Sequence, residues 1–328
     1  MKFLIAGYGS IGRRHLRNLR ALGEDDILLY RTHHSTLPDA EIAEIPVETN
    51  LTAALAHHPD AVIISNPTAL HMEVAIPAAE AGCHILMEKP ISDSLAKVDY
   101  LRAALAGGRG QLLVGFQFRY HPALRQIKTW LDAGEIGKVY SFRAHWGEYL
   151  PNWHPWEDYK QSYAARPDLG GGVVLTLTHP LDYLRWLLGD VQALWAFTGT
   201  LGDLGIGVAD SAEIGLQFQS GAAGTVHLDY LQRPAGHTLQ IMGTGGMVQW
   251  DNASGGASLY RAVNDSWEKL PLPASFDRND LFLDELRHFI KIVQGLENPV
   301  CTLADGGWAL RLALSAEKSA QSKTQIHF

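Results

Sequence analysis

Residues 2–23, KFLIAGYGSIGRRHLRNLRALG, decide the fold. A short apolar run, Phe3 to Ala6, meets Gly7, Gly9 and Gly12. The residues after it place Ile11, Leu16, Leu19 and Leu22 at helical spacing, and Gly23 marks the helix stop. A G-x-G-x-x-G segment between a strand and a helix has a physical meaning. The first glycine makes the tight turn, the second lets the backbone approach a pyrophosphate, and the third permits close packing of helix on strand. The helix N-terminus then faces the phosphate charge. Gly7, Tyr8, Gly9, Ser10, Ile11 and Gly12 are therefore the expected cradle of a dinucleotide.

Working outward, the alternation continues. Strand-like segments are ILLY (27–30), AVIIS (61–65), HILME (84–88) and LLVGF (112–116), with helical stretches around 51–57, 68–81 and 92–106. Near-continuous apolar strands separated by helices predict a parallel sheet covered on both faces. Ligands of such sheets bind beyond the carboxyl ends of the strands. Ser65, Asn66 and Pro67 stand at that edge, as do Glu88, Lys89 and Pro90. An NAD-binding domain usually carries an acid about 20 residues beyond the glycines, to hold the ribose. Here that place reads Tyr30-Arg31-Thr32-His33, without Asp or Glu. Arg31, with Thr32 beside it, can clamp a 2′-phosphate, which favours NADP over NAD. The alternative is a solvated Arg31 and NAD as cofactor.

The chain has 328 residues, 46% of them hydrophobic, and a formal net charge of -8. That length exceeds one ordinary core, so two domains are expected, 1–120 and 121–328. The acidic balance and the lack of a basic run argue against nucleic acid as a partner. Cys83 and Cys301 stand far apart, which suits a reducing, cytoplasmic setting. No signal peptide is read at the start, and no apolar stretch is long enough to span a membrane. Fifteen histidines include the adjacent pairs His33-His34 and His57-His58, but no zinc-site spacing occurs and no metal is expected.

After residue 120 the pattern changes. A helix, PALRQIKTWLDAG, leads to the alternating KVYSFRAHWGEYL, and strand-like runs follow near 191–199, 211–219, 223–231, 237–243 and 246–251. Helical patterns return at 281–294 and 303–320. Strands in succession predict an α+β domain with a mostly antiparallel, open-faced sheet. Between them lies VVLTLTHPLDYLRWLLGD. On a helical wheel Val173, Val174, Leu177, Leu181, Leu184 and Leu188 share one arc, while Thr176, His179, Asp182 and Tyr183 fall on the other and are expected to face a cleft. Pro180 belongs in a first turn or at a kink.

Taken together, GYGSIG (7–12), SNPTALH (65–71), MEKP (87–90), GFQFRYHP (115–122) and GGG…THPLD (170–182) resemble the glucose–fructose oxidoreductase / inositol dehydrogenase / MocA (Gfo/Idh/MocA) family over nearly the whole chain. The resemblance implies a Rossmann domain joined to an open-faced sheet domain, and hydride transfer between a nicotinamide and a sugar, polyol or related hydroxy compound. It implies Lys89 as a catalytic group with His179 beside it. It extends the cofactor set to His71, Glu88, Lys89 and Gln117. The family often has an aspartate one turn before this histidine, where Thr176 stands. A threonine orients a hydroxyl but is no general base near neutral pH.

In this reading Lys89 exchanges the carbinol proton. A free lysine, with pKa about 10.4, is too basic for that role unless burial or a helix starting near Ser92 lowers it. His179 polarises the oxygen or relays the proton, and Asp182 orients its ring. The stretch 152–166 holds Trp153, His154, Trp156, Tyr159, Tyr163 and Arg166, suited to the C–H face of a cyclic sugar or sugar nucleotide, with Lys160 and Arg166 for an anionic group. Arg119, Tyr120, Thr176, Lys89 and His179 complete the expected substrate set. The tryptophans also fit a core or subunit contact. Two other functions remain open: a cofactor-binding sensor without turnover, and a redox-neutral, NAD-dependent glycosidase. An open sheet face needs covering, so a homo-oligomer, dimer or tetramer, is expected.

Overall fold

Strands that are apolar along their whole length can be buried only when helices cover both faces of the sheet. The computed structural model describes residues 1–32 and 42–328, so His33 and His34 lie outside the described residues. Two units are present. The first comprises Met1–Gln117, Asp168–Gly170 and Arg278–Leu310, and the second Phe118–Pro167, Gly171–Asp277 and Arg311–Phe328.

In chain order the first unit is built from β1 (Phe3–Ala6), α1 (Ser10–Ala21), β2 (Ile27–Tyr30), β3 (Val47–Glu48), α2 (Leu51–Leu55), β4 (Ala61–Ile64), α3 (His71–Glu80), β5 (His84–Glu88), α4 (Val98–Gly107) and β6 (Leu112–Gly115). The strands form one sheet in the order β3-β2-β1-β4-β5-β6, with every pair parallel. Phe3, Leu4, Ile5 and Ile63 are fully buried, as are Leu16 and Leu19 on the inner stripe of α1. Each such side chain contributes about 1.5–3 kcal/mol by leaving water. One strand escapes the sequence reading and one helix start is corrected. The two-residue strand β3 is too short to show a period. The helix expected over 92–106 begins only at Val98. Ser92 Oγ instead accepts the Ser94 N–H and donates to Asp93, so local side-chain bonds hold a turn where a helix was expected. No helix N-terminus therefore stands at Ser92.

The second unit contains α5 (Pro122–Asp132), β7 (Val139–Gly147), α6 (Val173–Thr176), α7 (His179–Leu188), β8 (Val191–Gly199), β9 (Ser211–Phe218), β10 (Ala223–Asp229), β11 (Gly236–Gly243), β12 (Gly246–Asp251), β13 (Ala257–Arg261) and β14 (Ser266–Leu270). Two further helices follow, α8 (Arg278–Val293) in the first unit and α9 (Leu303–Ser322), whose residues divide between the units. The chain closes on β15 (Ile326–His327). The nine strands run β14-β13-β12-β11-β7-β10-β9-β8-β15, antiparallel except for β7 beside β10. Helices α5, α6 and α7 contact one face of the sheet. On the other face Trp195, Phe197 and Trp267 are exposed.

The division of the chain at residue 120 follows sequence order, whereas the units interleave. Residues 278–310 belong to the first unit because α8 packs on α1 and β5, and Asn279 exchanges hydrogen bonds with Asn18. The single helix read over 173–188 is two. Leu177 and Thr178 separate them, and Pro180 sits in the first turn of α7, where its missing N–H costs nothing. Strands β13, β14 and β15 were also unforeseen, since β14 is exposed along its length and carries no alternation.

Candidate functional site

The glycine loop follows the sequence logic atom by atom. Gly7 has φ +101°, and a Cβ there would stand 2.5 Å from the Asn66 nitrogen. A Cβ on Gly12 would meet the Gly7 carbonyl oxygen at 2.2 Å, while a Cβ on Gly9 would meet nothing within 4 Å. So the outer glycines are packed tight, and the middle one leaves open space at the start of α1. That open backbone, without an acidic residue in the first turn, fits a dinucleotide pyrophosphate. Ser65 closes the loop from behind, its hydroxyl donating to the Gly7 carbonyl at 3.0 Å. Asn66 Nδ2 donates to the Leu70 carbonyl, and Pro67 opens the short 68–70 turn.

Arg31 is buried, with its guanidinium 5.6 Å from the Tyr8 ring centroid, and its backbone N–H donates to the Glu48 carbonyl. Arg13, on α1, stacks on the same ring at 4.3 Å. The sequence reading missed Arg13, although its place on the first turn after the glycines was available as a signal. Thr32 is exposed.

At the end of β5 the run from Ile85 to Ser92 is buried except at Lys89, which is half-exposed. Behind it, His15 Nε2–H donates to Glu88 Oε1 at 2.8 Å. Burial alone would raise the Glu88 carboxyl. The His15 hydrogen bond and the neighbouring His15, Lys89 and His71 side chains outweigh it and hold the group below the usual range. His71, buried on α3, donates from Nε2 to the Asn66 carbonyl at 2.9 Å, and burial keeps its ring below the ordinary histidine value. Glu285 of α8 is wholly buried, and among the described residues neither of its oxygens has a hydrogen-bond partner. Burial, with the Glu88 charge second, pushes its pKa well above the carboxylate range. No periodicity in the sequence marks this cluster. Gln117, just past β6, is also buried.

In the second unit the residues expected to face a cleft are packed in. Thr176, His179, Asp182 and Tyr183 are each no more than 3% exposed. The physical reason is an aromatic assembly. His179 lies edge-on to Phe118 at 4.9 Å and beside Trp146 at 5.4 Å. His237 stacks flat on Trp146 at 4.5 Å, and its Nε2 is 3.2 Å from the Tyr183 hydroxyl. Burial raises the pKa of that hydroxyl above its ordinary tyrosine value. Phe118, Trp146 and His237 were not singled out in the sequence, where each is only one apolar or neutral residue in a turn or strand.

Asp182, expected to orient the imidazole, is gripped by Arg119, whose Nε donates to Oδ2 at 3.0 Å and whose second nitrogen donates to Oδ1 at 2.7 Å. Arg119, read as a wall of the substrate cleft, is thus engaged in a buried ion pair. Tyr120 is buried, with Arg125 over its ring at 5.0 Å. In the aromatic stretch, Trp153 stands edge-on to Tyr230 at 5.5 Å and the Tyr159 hydroxyl donates to the Leu204 carbonyl at 2.8 Å. Tyr163 and Arg166 are half-buried, and Trp156 is exposed.

An oxidoreductase family with an NAD-binding Rossmann fold matches residues 1–116, and the GFO/IDH/MocA C-terminal domain matches residues 124–249. Myo-inositol 2-dehydrogenase of Thermotoga maritima is 29% identical over 346 residues, spanning 99% of this chain and 98% of that protein. 1,5-Anhydro-D-fructose reductase of Ensifer adhaerens is 30% identical over 269 residues, spanning 80% of this chain and 77% of that protein. Levoglucosan dehydrogenase, solved in complex with NADH and levoglucosan, has the same fold, with a TM-score of 0.87 at 20% identity over 100% of this chain and 99% of that one.

Proposed function

We propose that this chain, which belongs to the GFO/IDH/MocA oxidoreductase family, transfers a hydride between a nicotinamide dinucleotide and a secondary carbinol or ketone of a sugar or polyol. The observation that carries the reading is Lys89, the one half-exposed residue in a buried run, at the same carboxyl edge of the sheet as the open Gly9. When bound, the nicotinamide supplies the hydride acceptor or donor. Lys89 then takes or returns the proton of the carbinol oxygen, as a general acid/base. Glu88, held ionised by its neighbours, fixes the electrostatics behind Lys89. Asp182, paired with Arg119, holds α7.

The absence of an acid in Tyr30-Arg31-Thr32-His33 and the two arginines against the Tyr8 ring support NADP as the preferred cofactor. The names of the curated relatives, an inositol dehydrogenase and an anhydrofructose reductase, support a cyclic polyol or sugar. Trp153, Tyr159 and Tyr163 suit the apolar face of such a ring, and Arg166 an anionic substituent. The exposed Trp195 and Phe197 on the open sheet face support a homo-oligomer. Among the described residues no helix is long and apolar enough to cross a membrane.

The test incubates the protein with NADP or NAD and a panel of inositols, anhydrosugars and their ketones, following absorbance of the reduced cofactor. Cofactor reduction or oxidation matched to a panel member supports the reading. Tight cofactor binding by calorimetry with no turnover in either direction overturns it in favour of a sensor, and glycoside cleavage without net reduction overturns it in favour of the glycosidase.

A further inference from the structure

We propose that His145, His227 and Asp229 form a binding site for one divalent transition-metal ion of the zinc class, on the open face of the nine-stranded sheet and apart from the residues assigned to hydride transfer. On β7 the buried residues Phe142, Ala144 and Trp146 point to the helices, so the alternate residue His145 points the other way. His145 and His227 are register partners on the adjacent parallel strands β7 and β10. Their rings stack at 4.8 Å with planes 11° apart. Asp229 stands two residues beyond His227 on the same face, with Oδ2 2.9 Å from His227 Nε2. One ligand atom from each of the three lies within 4.8 Å of the others.

The surroundings are built to hold this set. Asp229 Oδ1 accepts the backbone N–H groups of Leu231 and Gln232, at 2.7 and 2.6 Å, which fixes the carboxylate and aims Oδ2 into the cluster. Glu213, opposite His227 on β9, engages the far ring nitrogen, Nδ1, at 2.5 Å. A carboxylate on the outer nitrogen is how metal-bound histidines are oriented and made more basic. Gln232 Oε1 lies 2.5 Å from His145 Nε2. The register partners Gly147 and Gly236 make room for this side chain. A Cβ at 147 would stand 2.2 Å from Asp229 Oδ2 and 2.4 Å from Gln232 Oε1, and one at 236 would stand 2.5 Å from Gln232 Nε2. Two carboxylates around two imidazoles favour a cation, and the His227 side chain is 30% exposed in the single chain.

The donor chemistry selects the ion. Two imidazole nitrogens and one carboxylate oxygen suit Zn2+, Co2+ or Ni2+, whereas Mg2+ and Ca2+ require an oxygen cage. Three protein ligands leave a fourth position for Gln232 Oε1 or a water. The bound ion would tie β7 to β10, with β9 attached through Glu213. Sequence spacing could not reveal the set, because its two histidines come from distant strands.

The experiment uses the full chain, stripped with a chelator and titrated with Zn2+ by calorimetry, and with Co2+ by visible absorption. The expected result is one ion per chain, with intense d–d bands of a low-coordinate Co2+ site. A rise in melting temperature on adding Zn2+ should accompany it. His145→Gln and His227→Gln should each weaken Zn2+ binding by tenfold or more and abolish the Co2+ bands. Asp229→Asn, which keeps the acceptor for the Leu231 and Gln232 N–H groups, guards against loss through misfolding and should weaken binding likewise. The exposed pair His57–Glu48, away from this sheet, serves as control, and His57→Gln should bind as the parent does. Substoichiometric binding, or full binding in the His145 and His227 variants, would overturn the proposal. None of these readouts depends on catalytic activity.

Discussion

Replacing Asp182 by asparagine keeps the shape of the side chain and removes its charge, leaving the Arg119 guanidinium 5% exposed against a neutral amide. Two opposite charges about 4 Å apart attract by roughly 4 kcal/mol at an effective dielectric of about 20. Deleting one member of a buried pair costs about 3–5 kcal/mol, because the survivor stays desolvated and uncompensated. For a body of this size that corresponds to a fall in melting temperature of roughly 10 °C. The double variant Arg119→Met/Asp182→Leu removes both charges of the pair, so it should be more stable than either single variant. The assay is urea unfolding at neutral pH of parent, both singles and the double, followed by circular dichroism. An Asp182→Asn midpoint within about 0.5 kcal/mol of the parent, or a double variant as unstable as the summed singles, would refute the reasoning. If Asp182 acted mainly by orienting His179, the same variant would keep its stability and lose kcat instead.

Lys89→Ala should abolish turnover and change cofactor affinity by no more than a few-fold. A kcat of a tenth of the parent or more removes Lys89 as acid/base. Arg31→Ala should weaken NADP by about 1.5–3 kcal/mol and NAD much less, read by fluorescence titration. Equal losses would leave Arg31 with a structural role only. His121 caps α5 by accepting the Ala123 N–H on Nδ1, and burial lowers its pKa from 6.5 to about 4. Between those values the unfolded chain binds a proton that the folded one refuses, so stability falls as pH drops. The loss reaches about 3 kcal/mol by pH 4, and the difference in urea midpoints from His121→Gln measures it. Glu285 has the opposite sign. Its folded pKa is raised, so the unfolded chain releases a proton above the ordinary carboxylate value while the folded one keeps it. Stability therefore declines as pH rises, and Glu285→Gln should flatten that slope, with an unchanged slope counting against the buried neutral acid.

The parts of this molecule that were legible in its sequence are those where backbone geometry restricts residue type. Gly7 and Gly12 are required by contacts of 2.5 and 2.2 Å that a Cβ would create, and a strand buried on both faces must be apolar throughout. Such constraints are local, so a few neighbouring letters express them. Arg119 and Asp182 lie on different elements, and either would be at home on a surface. Only the fold makes each the other's compensation, and the wheel that placed Asp182 opposite the leucines could say that it was segregated, not from what. The same holds for Glu88, whose neighbours His15, His71 and Glu285 come from three helices. A buried charge is specified by what surrounds it in space, and its partners can change sequence position freely as long as the field at the site is kept. The acid/base role proposed for Lys89 would depend on that field, so the motif around it can be read from the chain while the tuning of the site cannot.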